Sequence, residues 1–390
     1  MISSPFQKTE LEELRADYPH IKNGLTYLNH AAISPLSSTV KKAIETFIIE
    51  RHEGPIENFE QGVERAEEAK SAIQRYISAD SSEQITFLDN TSNAISAVAG
   101  GFPWQDGDEI ITNTMEFPSN VQPFRILKDR RVKTVYVPHR NYTITAEMIE
   151  EFITPKTKMV AVSAVQYLSG YKADLKAIGE LCKAHNITFV VDGIQALGAQ
   201  QIDVQKCHID ALASGGHKWL MGPMGQGFLY LSQSLGKNLE PVQTGWLSVK
   251  EPWDLSNFEQ DWQPVNQHLE TGTPNMLGIT GLGASLHSKF DIGPEKIQQQ
   301  ILYLTGQLIE NLQSRKGVSL ITPKNAEDRL GIVTFTVEGV DREEYDEVVS
   351  ELKESGITIS TREGFFRISP HYYNSDTDIE KAVNEIFKRL

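Results

Sequence analysis

Residues 188–227 read TFVVDGIQALGAQQIDVQKCHIDALASGGHKWLMGPMGQG, and this stretch decides the fold. It opens with a continuous apolar run, Thr188–Val191, which predicts a buried strand that ends in Asp192. A second apolar run, Ile209–Ala213, predicts another strand, which leads into the segment SGGHK ending at Lys218. In parallel sheets, ligands bind at the carboxyl ends of the strands. We therefore expect Asp192 and Lys218 to lie together at the ligand-binding edge of one sheet.

The pair of Asp192 and Lys218 is what the chemistry of pyridoxal 5′-phosphate (PLP) requires. A lysine amine holds this cofactor as a Schiff base and later shuttles the α-proton of the substrate. A carboxylate that faces the pyridine nitrogen keeps the ring protonated and electron-withdrawing. Taken singly, an aspartate at a strand end is usually a cap and a lysine is usually solvated, so the prediction depends on their combination.

Outward from this stretch, short apolar runs alternate with helical patterns, which predicts an α/β fold with a mostly parallel sheet covered on both faces. The further strands expected in this part are Ile85–Leu88, Glu109–Thr112, Val135–Val137, Met159–Val165 and Gly227–Leu231, with a helix at Ala173–His185. We expect a large domain over residues 20–285. Residues 1–19 and 286–390 are expected to form a small α+β domain.

The later chain carries the pattern of that small domain. Helices are expected at Gly278–Leu286, Ile301–Leu312 and Arg342–Ser355, and strands at Gly331–Val337, Ile357–Thr361 and Phe366–Ile368. The length of 390 residues fits one large and one smaller domain.

The composition limits which binding partners and which cellular compartment we expect. A net charge of −15, from 37 basic and 52 acidic residues, disfavours nucleic acid and anionic membranes as partners. Only two cysteines occur, Cys182 and Cys207, so neither a disulfide framework nor a cysteine-rich metal site is expected, and no metal is predicted. No apolar run approaches the roughly 20 residues of a membrane span. We expect a cytoplasmic protein.

The segments VDGIQ and SGGHKW resemble the class V aminotransferases, a group of fold-type I PLP enzymes. The group includes cysteine desulfurases, selenocysteine lyases and proteins like isopenicillin-N epimerase. The resemblance runs from Tyr27 to about Asn374. It implies a large domain with a mostly parallel, seven-stranded type of sheet, a small C-terminal α+β domain, and PLP as the cofactor.

The resemblance implies a role for each residue of the motif. Asp192 binds the pyridine nitrogen, and Gln195 bonds the ring hydroxyl oxygen. Lys218 forms the Schiff base, and His217 contacts the phosphate; Lys218, Asp192 and His217 are the candidate catalytic residues. Gly215 departs from relatives that carry a polar phosphate contact there, and Ser214 lies one position away.

Four further segments match cofactor contacts of the family. Thr91 and Ser92 begin a helix after a strand, where free N–H groups and hydroxyls bind phosphate. Phe117 stands where cysteine desulfurases carry a histidine that stacks on the pyridine. Tyr167, next to Gln166, belongs to a loop that contacts the cofactor or the substrate. Thr273, in ETGTPN, matches a threonine that reaches the phosphate of the neighbouring subunit, which implies a homodimer with shared active sites.

The substrate contacts follow from two terminal segments. Arg367, in RISPHYYN, matches the arginine that grips the substrate α-carboxylate, and Arg362 is a nearby competitor. Asn29 and His30, in YLNHAA, match a segment that borders the substrate pocket, mainly through its backbone.

One departure from the family bears on the reaction. Cysteine desulfurases carry a catalytic cysteine just before the carboxylate-binding arginine, whereas this chain reads ITISTREGFFR. We therefore expect a small amino acid as the substrate and a class V aminotransferase reaction. A cysteine or selenocysteine lyase that does not need that thiol, and an amino-acid epimerase, stay open as alternatives. A catalytically idle PLP-fold binding protein is disfavoured because the lysine is intact, and no GxGxxG supports a nucleotide-binding Rossmann enzyme.

Overall fold

The computed structural model describes residues 2–390, and strands alternate with helices as far as residue 192. Its strands are β1 Thr26–Tyr27, β2 Ile85–Leu88, β3 Glu109–Asn113, β4 Lys133–Val137, β5 Thr157–Ser163, β6 Thr188–Asp192, β7 Ala211–Gly215, β8 Gly227–Leu231, β9 Val318–Leu320, β10 Val333–Val337, β11 Ile357–Thr358, β12 Ser360–Arg362 and β13 Phe365–Ile368. Its α-helices are α1 Lys8–Ala16, α2 Ser38–His52, α3 Phe59–Ile77, α4 Thr91–Gly101, α5 Gln122–Arg125, α6 Ala146–Glu150, α7 Leu175–Ala184, α8 Gln233–Asn238, α9 Val265–His268, α10 Met276–Ile292, α11 Pro294–Gln313, α12 Arg342–Glu354 and α13 Asp376–Phe387.

A seven-stranded sheet with the order β2-β8-β7-β6-β5-β3-β4 forms the centre of the molecule. Strand β8 is antiparallel to both of its neighbours, and the other pairs are parallel. Parallel neighbours need a crossover of about a dozen residues or more, usually with a helix. The 11 residues 216–226 that join β7 to β8 fall short of such a crossover, so β8 returns antiparallel, whereas the 18 residues 193–210 bring β7 back parallel to β6 without an α-helix. The predicted mostly parallel α/β sheet is confirmed.

Alternate residues of the central strands enter two separate cores, one on each face of the sheet. On β6, for example, Phe189 and Val191 belong to one core and Val190 to the other. On β7, Leu212 lies on the first face, and Ala211 and Ala213 on the second. A sheet buried on both faces needs apolar residues at consecutive positions, which explains why its strands are continuous apolar runs.

The structure moves or divides several predicted strands; β5, for example, covers Thr157–Ser163 rather than Met159–Val165. Strand β7 begins at Ala211 rather than at Ile209, because the Ile209 amide closes a turn onto the carbonyl of Val204 at 2.9 Å. The strand then continues to Gly215, three residues before Lys218. The predicted single strand Ile357–Thr361 is two strands: β11 pairs in parallel with β1, and β12 pairs antiparallel with β13.

The later chain forms a four-stranded antiparallel sheet with the order β12-β13-β10-β9. The segment from Ser4 to Arg15 packs against this part of the molecule, since Arg15 forms a 2.6 Å ion pair with Asp378 and Ser4 donates to Gln300 at 2.7 Å. Helix α10 runs through position 286, where the predicted domain boundary lies. The division into residues 20–285 and 1–19 with 286–390 stays a prediction.

Candidate active site

A cavity of about 330 Å³ lies where β6 and β7 end. Eight of the residues predicted for the site line it: Thr91, Ser92, Phe117, Tyr167, Gln195, His217, Lys218 and Arg367. Its other lining residues are Ala31, Ala32, Asn90, Ser119, Ile194 and Arg362. Strand order explains the convergence, because β6 and β7 are parallel neighbours and present their carboxyl ends at the same edge.

Lys218 places its amine inside this cavity. The Nζ atom lies 5.5 Å from the centre of the Phe117 ring, which in turn meets the Tyr167 ring edge-on at 5.2 Å. Burial lowers the pKa of Lys218 to about 8; Asp192 opposes this effect, whereas Arg367 lowers the pKa further. A lysine with this pKa carries a substantial neutral fraction near neutral pH and acts as a nucleophile or a base.

Asp192 lies behind the cavity lining and is only 2% exposed. Its Oδ1 accepts the backbone N–H of Ile194 at 2.9 Å, and Ser119 donates to Oδ2 at 3.5 Å. Burial raises the pKa of Asp192 to about 6, and the neighbouring Glu116 raises it further. A cation held against Asp192 reverses this effect, and a protonated pyridine nitrogen is such a cation.

The N-terminus of α4 lies at the cavity wall and is the candidate anion site. Asn90 caps the helix by accepting the backbone N–H of Asn93 at 2.9 Å. The Thr91 hydroxyl accepts the Gly215 N–H at 2.9 Å, which leaves its own proton free to donate. Free helix N–H groups together with the Thr91 and Ser92 hydroxyls suit a phosphate.

Gln195 is held on two sides, and sequence reasoning did not find the residue that holds it. Trp219 donates from Nε1 to Oε1 of Gln195 at 2.8 Å, and Gln195 donates from Nε2 to the Ala31 carbonyl at 3.0 Å. The second Nε2 hydrogen remains for an acceptor in the cavity. His371 in turn fixes Trp219: its Nδ1 accepts the Tyr372 N–H at 2.8 Å, so its Nε2 carries the proton that bonds the Trp219 carbonyl at 3.0 Å.

Glu116 is a second residue that sequence reasoning missed, although it immediately precedes Phe117. It is 8% exposed, and its two oxygens accept five hydrogen bonds. The donors are Nδ2 of Asn113 at 2.6 Å, Nδ2 of Asn120 at 3.0 Å, Nε2 of Gln166 at 2.9 Å, the Ser163 N–H at 2.8 Å and the Ser163 hydroxyl. Glu116 therefore ties together the segments that carry Phe117 and Tyr167.

Arg367 is 2% exposed, yet its guanidinium is only partly satisfied. It donates from Nη1 to the Tyr167 carbonyl at 2.9 Å and from Nε to the Ser360 hydroxyl at 3.4 Å. Within residues 2–390, Nη2 has no hydrogen-bond partner. Burial lowers the pKa of Arg367 to about 9, and Arg362 lowers it further. A buried, unsatisfied guanidinium nitrogen next to a cavity is a site for a carboxylate.

The family model described as aminotransferase class V matches residues 26–381 of this sequence. The chain belongs to the class V aminotransferase family. A probable cysteine desulfurase of Methanothermobacter thermautotrophicus is 28% identical over 96% of each protein. The apo structure of a cysteine desulfurase from Thermococcus onnurineus NA1 is 26% identical, with a TM-score of 0.88 over 98% of each chain. A complex of the cystine C-S lyase C-DES with cysteine persulfide, at 23% identity, shares the fold with a TM-score of 0.86 over 95% of this chain and 98% of that chain.

Members of this family are PLP-dependent enzymes, so the predicted family, fold class, enzyme class and cofactor are confirmed. The residues of this class V enzyme fit the cofactor on independent grounds. The α4 cradle suits the phosphate, the Nε2 donor of Gln195 suits the ring hydroxyl oxygen, and buried Asp192 suits a protonated ring nitrogen. The roles of individual residues stay predictions.

Besides Asp192, three predicted site residues of this class V enzyme lie outside the cavity lining. His30 is fully buried, with Nδ1 on the Ser369 carbonyl at 2.8 Å and Nε2 on the Tyr373 hydroxyl at 2.9 Å. Asn29 is half-buried, and its segment reaches the cavity through Ala31 and Ala32. Thr273 is exposed on a turn away from the cavity of its own chain.

Neither cysteine of this class V enzyme lines the cavity. Burial raises the pKa of Cys182 to about 12, and burial together with Asp203 raises that of Cys207 to about 11. Residues Glu363 and Gly364, with φ of 51° and 74°, close β12 onto β13 in a two-residue turn. The hairpin therefore leaves no room for a cysteine-bearing loop before Arg367.

In residues 2–390, no helix combines the length and the apolar character that a bilayer crossing needs. The same part of the chain holds no group of three or more His, Cys, Asp or Glu side chains suited to a metal ion. The cytoplasmic location expected from the sequence stays a prediction.

Proposed function

We propose that this enzyme is a PLP-dependent aminotransferase for a small α-amino acid. The observation that carries the proposal is the unsatisfied Nη2 of buried Arg367, which lines the same cavity as the Lys218 amine. The cavity of about 330 Å³ is near the lower end of the roughly 300–1,000 Å³ typical of ligand sites. Because the cofactor takes up much of this volume, only a short substrate side chain fits.

Arg367, Lys218 and Phe117 each have a separate role in this reaction. Arg367 binds the substrate α-carboxylate through its free Nη2 and so orients the Cα–H bond relative to Lys218. PLP, when bound, supplies a ring that withdraws electrons from Cα. The Nζ atom of Lys218 would take the α-proton from the substrate and hold it as the general base, and hydrolysis by water would then be needed to release the keto acid. Phe117 offers a flat apolar face to the ring.

A second candidate is a cysteine or selenocysteine lyase that releases free sulfide or selenide. The names of relatives favour it, since the probable cysteine desulfurase of Methanothermobacter thermautotrophicus covers 96% of this chain. Formation of a persulfide on the enzyme is disfavoured, because neither Cys182 nor Cys207 lines the cavity and burial raises the pKa of both thiols. A lyase reaction begins with the same removal of the α-proton, after which the electrons at Cα expel the sulfur or selenium substituent from Cβ.

The experiment that separates these candidates adds a panel of amino acids to the PLP-loaded enzyme. An aminotransferase converts the bound cofactor to pyridoxamine phosphate and releases one keto acid per site, and a lyase releases sulfide or selenide without that conversion. Lys218→Ala is the control, because it retains the cavity but lacks the base. An unchanged cofactor spectrum with every amino acid refutes both candidates.

The double variant of Cys182→Ala and Cys207→Ala tests the role of the enzyme's thiols. If the reaction needs no enzyme thiol, turnover stays within about twofold of the parent enzyme. Loss of turnover in the double variant, together with a persulfide detected on the parent enzyme by alkylation and mass spectrometry, indicates a desulfurase that uses one of the two cysteines.

We also infer that the enzyme works as a homodimer. Large apolar side chains are exposed on one segment of the chain: Trp253 is 68%, Leu255 71% and Phe258 90% exposed. Exposed apolar patches of this kind are typical of interaction surfaces. Thr273 follows this segment and lies outside the cavity of its own chain, as a residue that serves the neighbouring site must.

A further inference from the structure

The hairpin of β12 and β13 carries two arginines that line the cavity, although one is enough to hold an α-carboxylate. In the register of this hairpin, Ser360 is opposite Arg367 and Arg362 is opposite Phe365. Side chains alternate along a strand, so Arg362 and Arg367 extend from the same face of the hairpin. They are diagonal neighbours, a relationship in which the residues lie about 7–8 Å apart.

Arg362 differs from Arg367 in its setting. It is exposed, and it donates from Nη1 to the carbonyl of the adjacent Thr361 at 2.6 Å. Within the described chain, no carboxylate lies within ion-pair distance of its guanidinium. An exposed arginine without a partner is ordinary on a surface, but this one lines the cavity beside a buried second arginine.

The charged side chains that line the cavity are all positive, and Asp192 behind the lining opposes the charge of Lys218. Arg362, Arg367 and Lys218 line it, whereas no Asp or Glu of residues 2–390 is part of the lining. The whole protein carries a net charge of −15, so the charge of the cavity lining is opposite in sign to that of the protein as a whole. The α-carboxylate of a simple amino acid compensates one of these charges, and the cofactor phosphate has its own cradle at the start of α4.

We propose that Arg362 binds a second carboxylate, and that the enzyme selects α-amino acids whose short side chain ends in an acid. This inference rests on the proposed function, and it names the substrate class of the same site. Arg367, being buried, receives the α-carboxylate, and Arg362 at the exposed end receives the acid of the side chain. The planar fork of a guanidinium binds a carboxylate through two parallel hydrogen bonds, which makes the pairing selective.

The kinetic test compares the PLP-loaded parent enzyme with Arg362→Gln. Aspartate and glutamate serve as the acidic substrates, and alanine and serine as the neutral ones. We expect kcat/KM to fall about 10- to 100-fold for the acidic pair, the size of a lost charge-assisted hydrogen bond, and to change less than about threefold for the neutral pair. An equal change for both pairs overturns the inference and leaves the proposed function intact.

A matched control is Arg342→Gln. Arg342 lies on the same part of the molecule, with its guanidinium 5.2 Å from the centre of the Phe365 ring, but it does not line the cavity. This variant removes one positive charge near the hairpin without touching the proposed contact. If Arg342→Gln lowers the preference for acidic substrates as much as Arg362→Gln does, the effect is one of general charge, and the inference fails.

A binding measurement gives a readout that does not depend on turnover. Succinate and propionate carry two and one carboxylates, and calorimetry measures the Kd of each for the PLP-loaded protein. We expect succinate to bind more tightly in the parent enzyme and to lose about 10-fold or more in Arg362→Gln, with little change for propionate. Equal affinity for the two acids refutes the inference. If no amino acid changes the cofactor spectrum but succinate behaves as expected, the proposed function fails and the second carboxylate site stands.

Discussion

The indole of Trp219 donates a hydrogen bond of 2.8 Å to Oε1 of Gln195, and this contact decides which end of the amide is available to the cavity. With Oε1 occupied by Trp219 and one Nε2 hydrogen on Ala31, Gln195 offers only a donor to the cavity. A donor at this position suits a negatively charged ring oxygen. Trp219 does not line the cavity itself, so it acts as a positioning residue.

Trp219→Phe removes this donor and allows the Gln195 amide to turn over. We expect the Kd for PLP to rise about fivefold, close to the loss of one hydrogen bond of about 1 kcal/mol, and the pH dependence of the bound-cofactor absorbance to shift. Absorbance titration of the loaded protein measures both quantities. Gln195→Leu removes the amide that Trp219 orients. If adding Trp219→Phe to this variant raises the Kd for PLP a further fivefold, the positioning role is contradicted.

Glu116 gathers five donors, and replacing its carboxylate leaves them buried without an acceptor. Glu116→Met is expected to lower the free energy of unfolding of the apo protein by about 3 kcal/mol, since each buried unsatisfied group costs about 1–3 kcal/mol. Urea denaturation measures this loss. Glu116→Gln is the matched control and is expected to cost about 1 kcal/mol, within the range of a single hydrogen bond. In Glu116→Gln, the new amide oxygen still accepts hydrogen bonds from one set of donors. The Asn120 amide oxygen has no partner in the described chain, so it can turn toward the new NH₂ group. Equal stability of Glu116→Met and the parent protein contradicts this account.

The pKa of Lys218 predicts how PLP capture depends on pH. Burial lowers this pKa to about 8, and the neutral amine above that pH is the form that attacks the aldehyde. The rate of PLP capture by the apo enzyme should therefore rise with pH through a midpoint near 8, as followed by stopped-flow absorbance. Arg367→Gln removes a nearby positive charge and should raise the midpoint, and Asp192→Asn removes a negative charge and should lower it. Shifts in the opposite directions argue against these neighbours as the cause.

Phe258 provides a test of the homodimer. It is 90% exposed in the single chain, and a charge at this position is costly to bury in an apolar interface. We expect Phe258→Glu to convert a dimer into a monomer at micromolar concentration in sedimentation velocity. Ile126, which is 70% exposed on another part of the surface, supplies the control variant Ile126→Glu. A monomeric parent protein, or a dimer that Phe258→Glu leaves intact, overturns the inferred interface.

The sequence by itself determined the cofactor chemistry and most of the cavity lining. The positions of Asp192 and Lys218 were predictable because Asp192 ends one strand and Lys218 follows another, both visible as apolar runs, and parallel strands bring their ends together. The same holds for the position of Thr91 at the start of α4, where a local helix signal coincides with the predicted phosphate site.

The tertiary structure alone decided the contacts between residues that are distant in the chain. Trp219 meets Gln195 across 24 residues and Glu116 meets Gln166 across 50, so no local pattern reports either pair. The free Nη2 of Arg367 could not be predicted from a local pattern either, because the contact with Tyr167 that fixes its guanidinium spans 200 residues. Propensity and periodicity describe a residue's own segment, whereas a buried polar group is satisfied by whichever donors and acceptors the packing of separate segments brings to it.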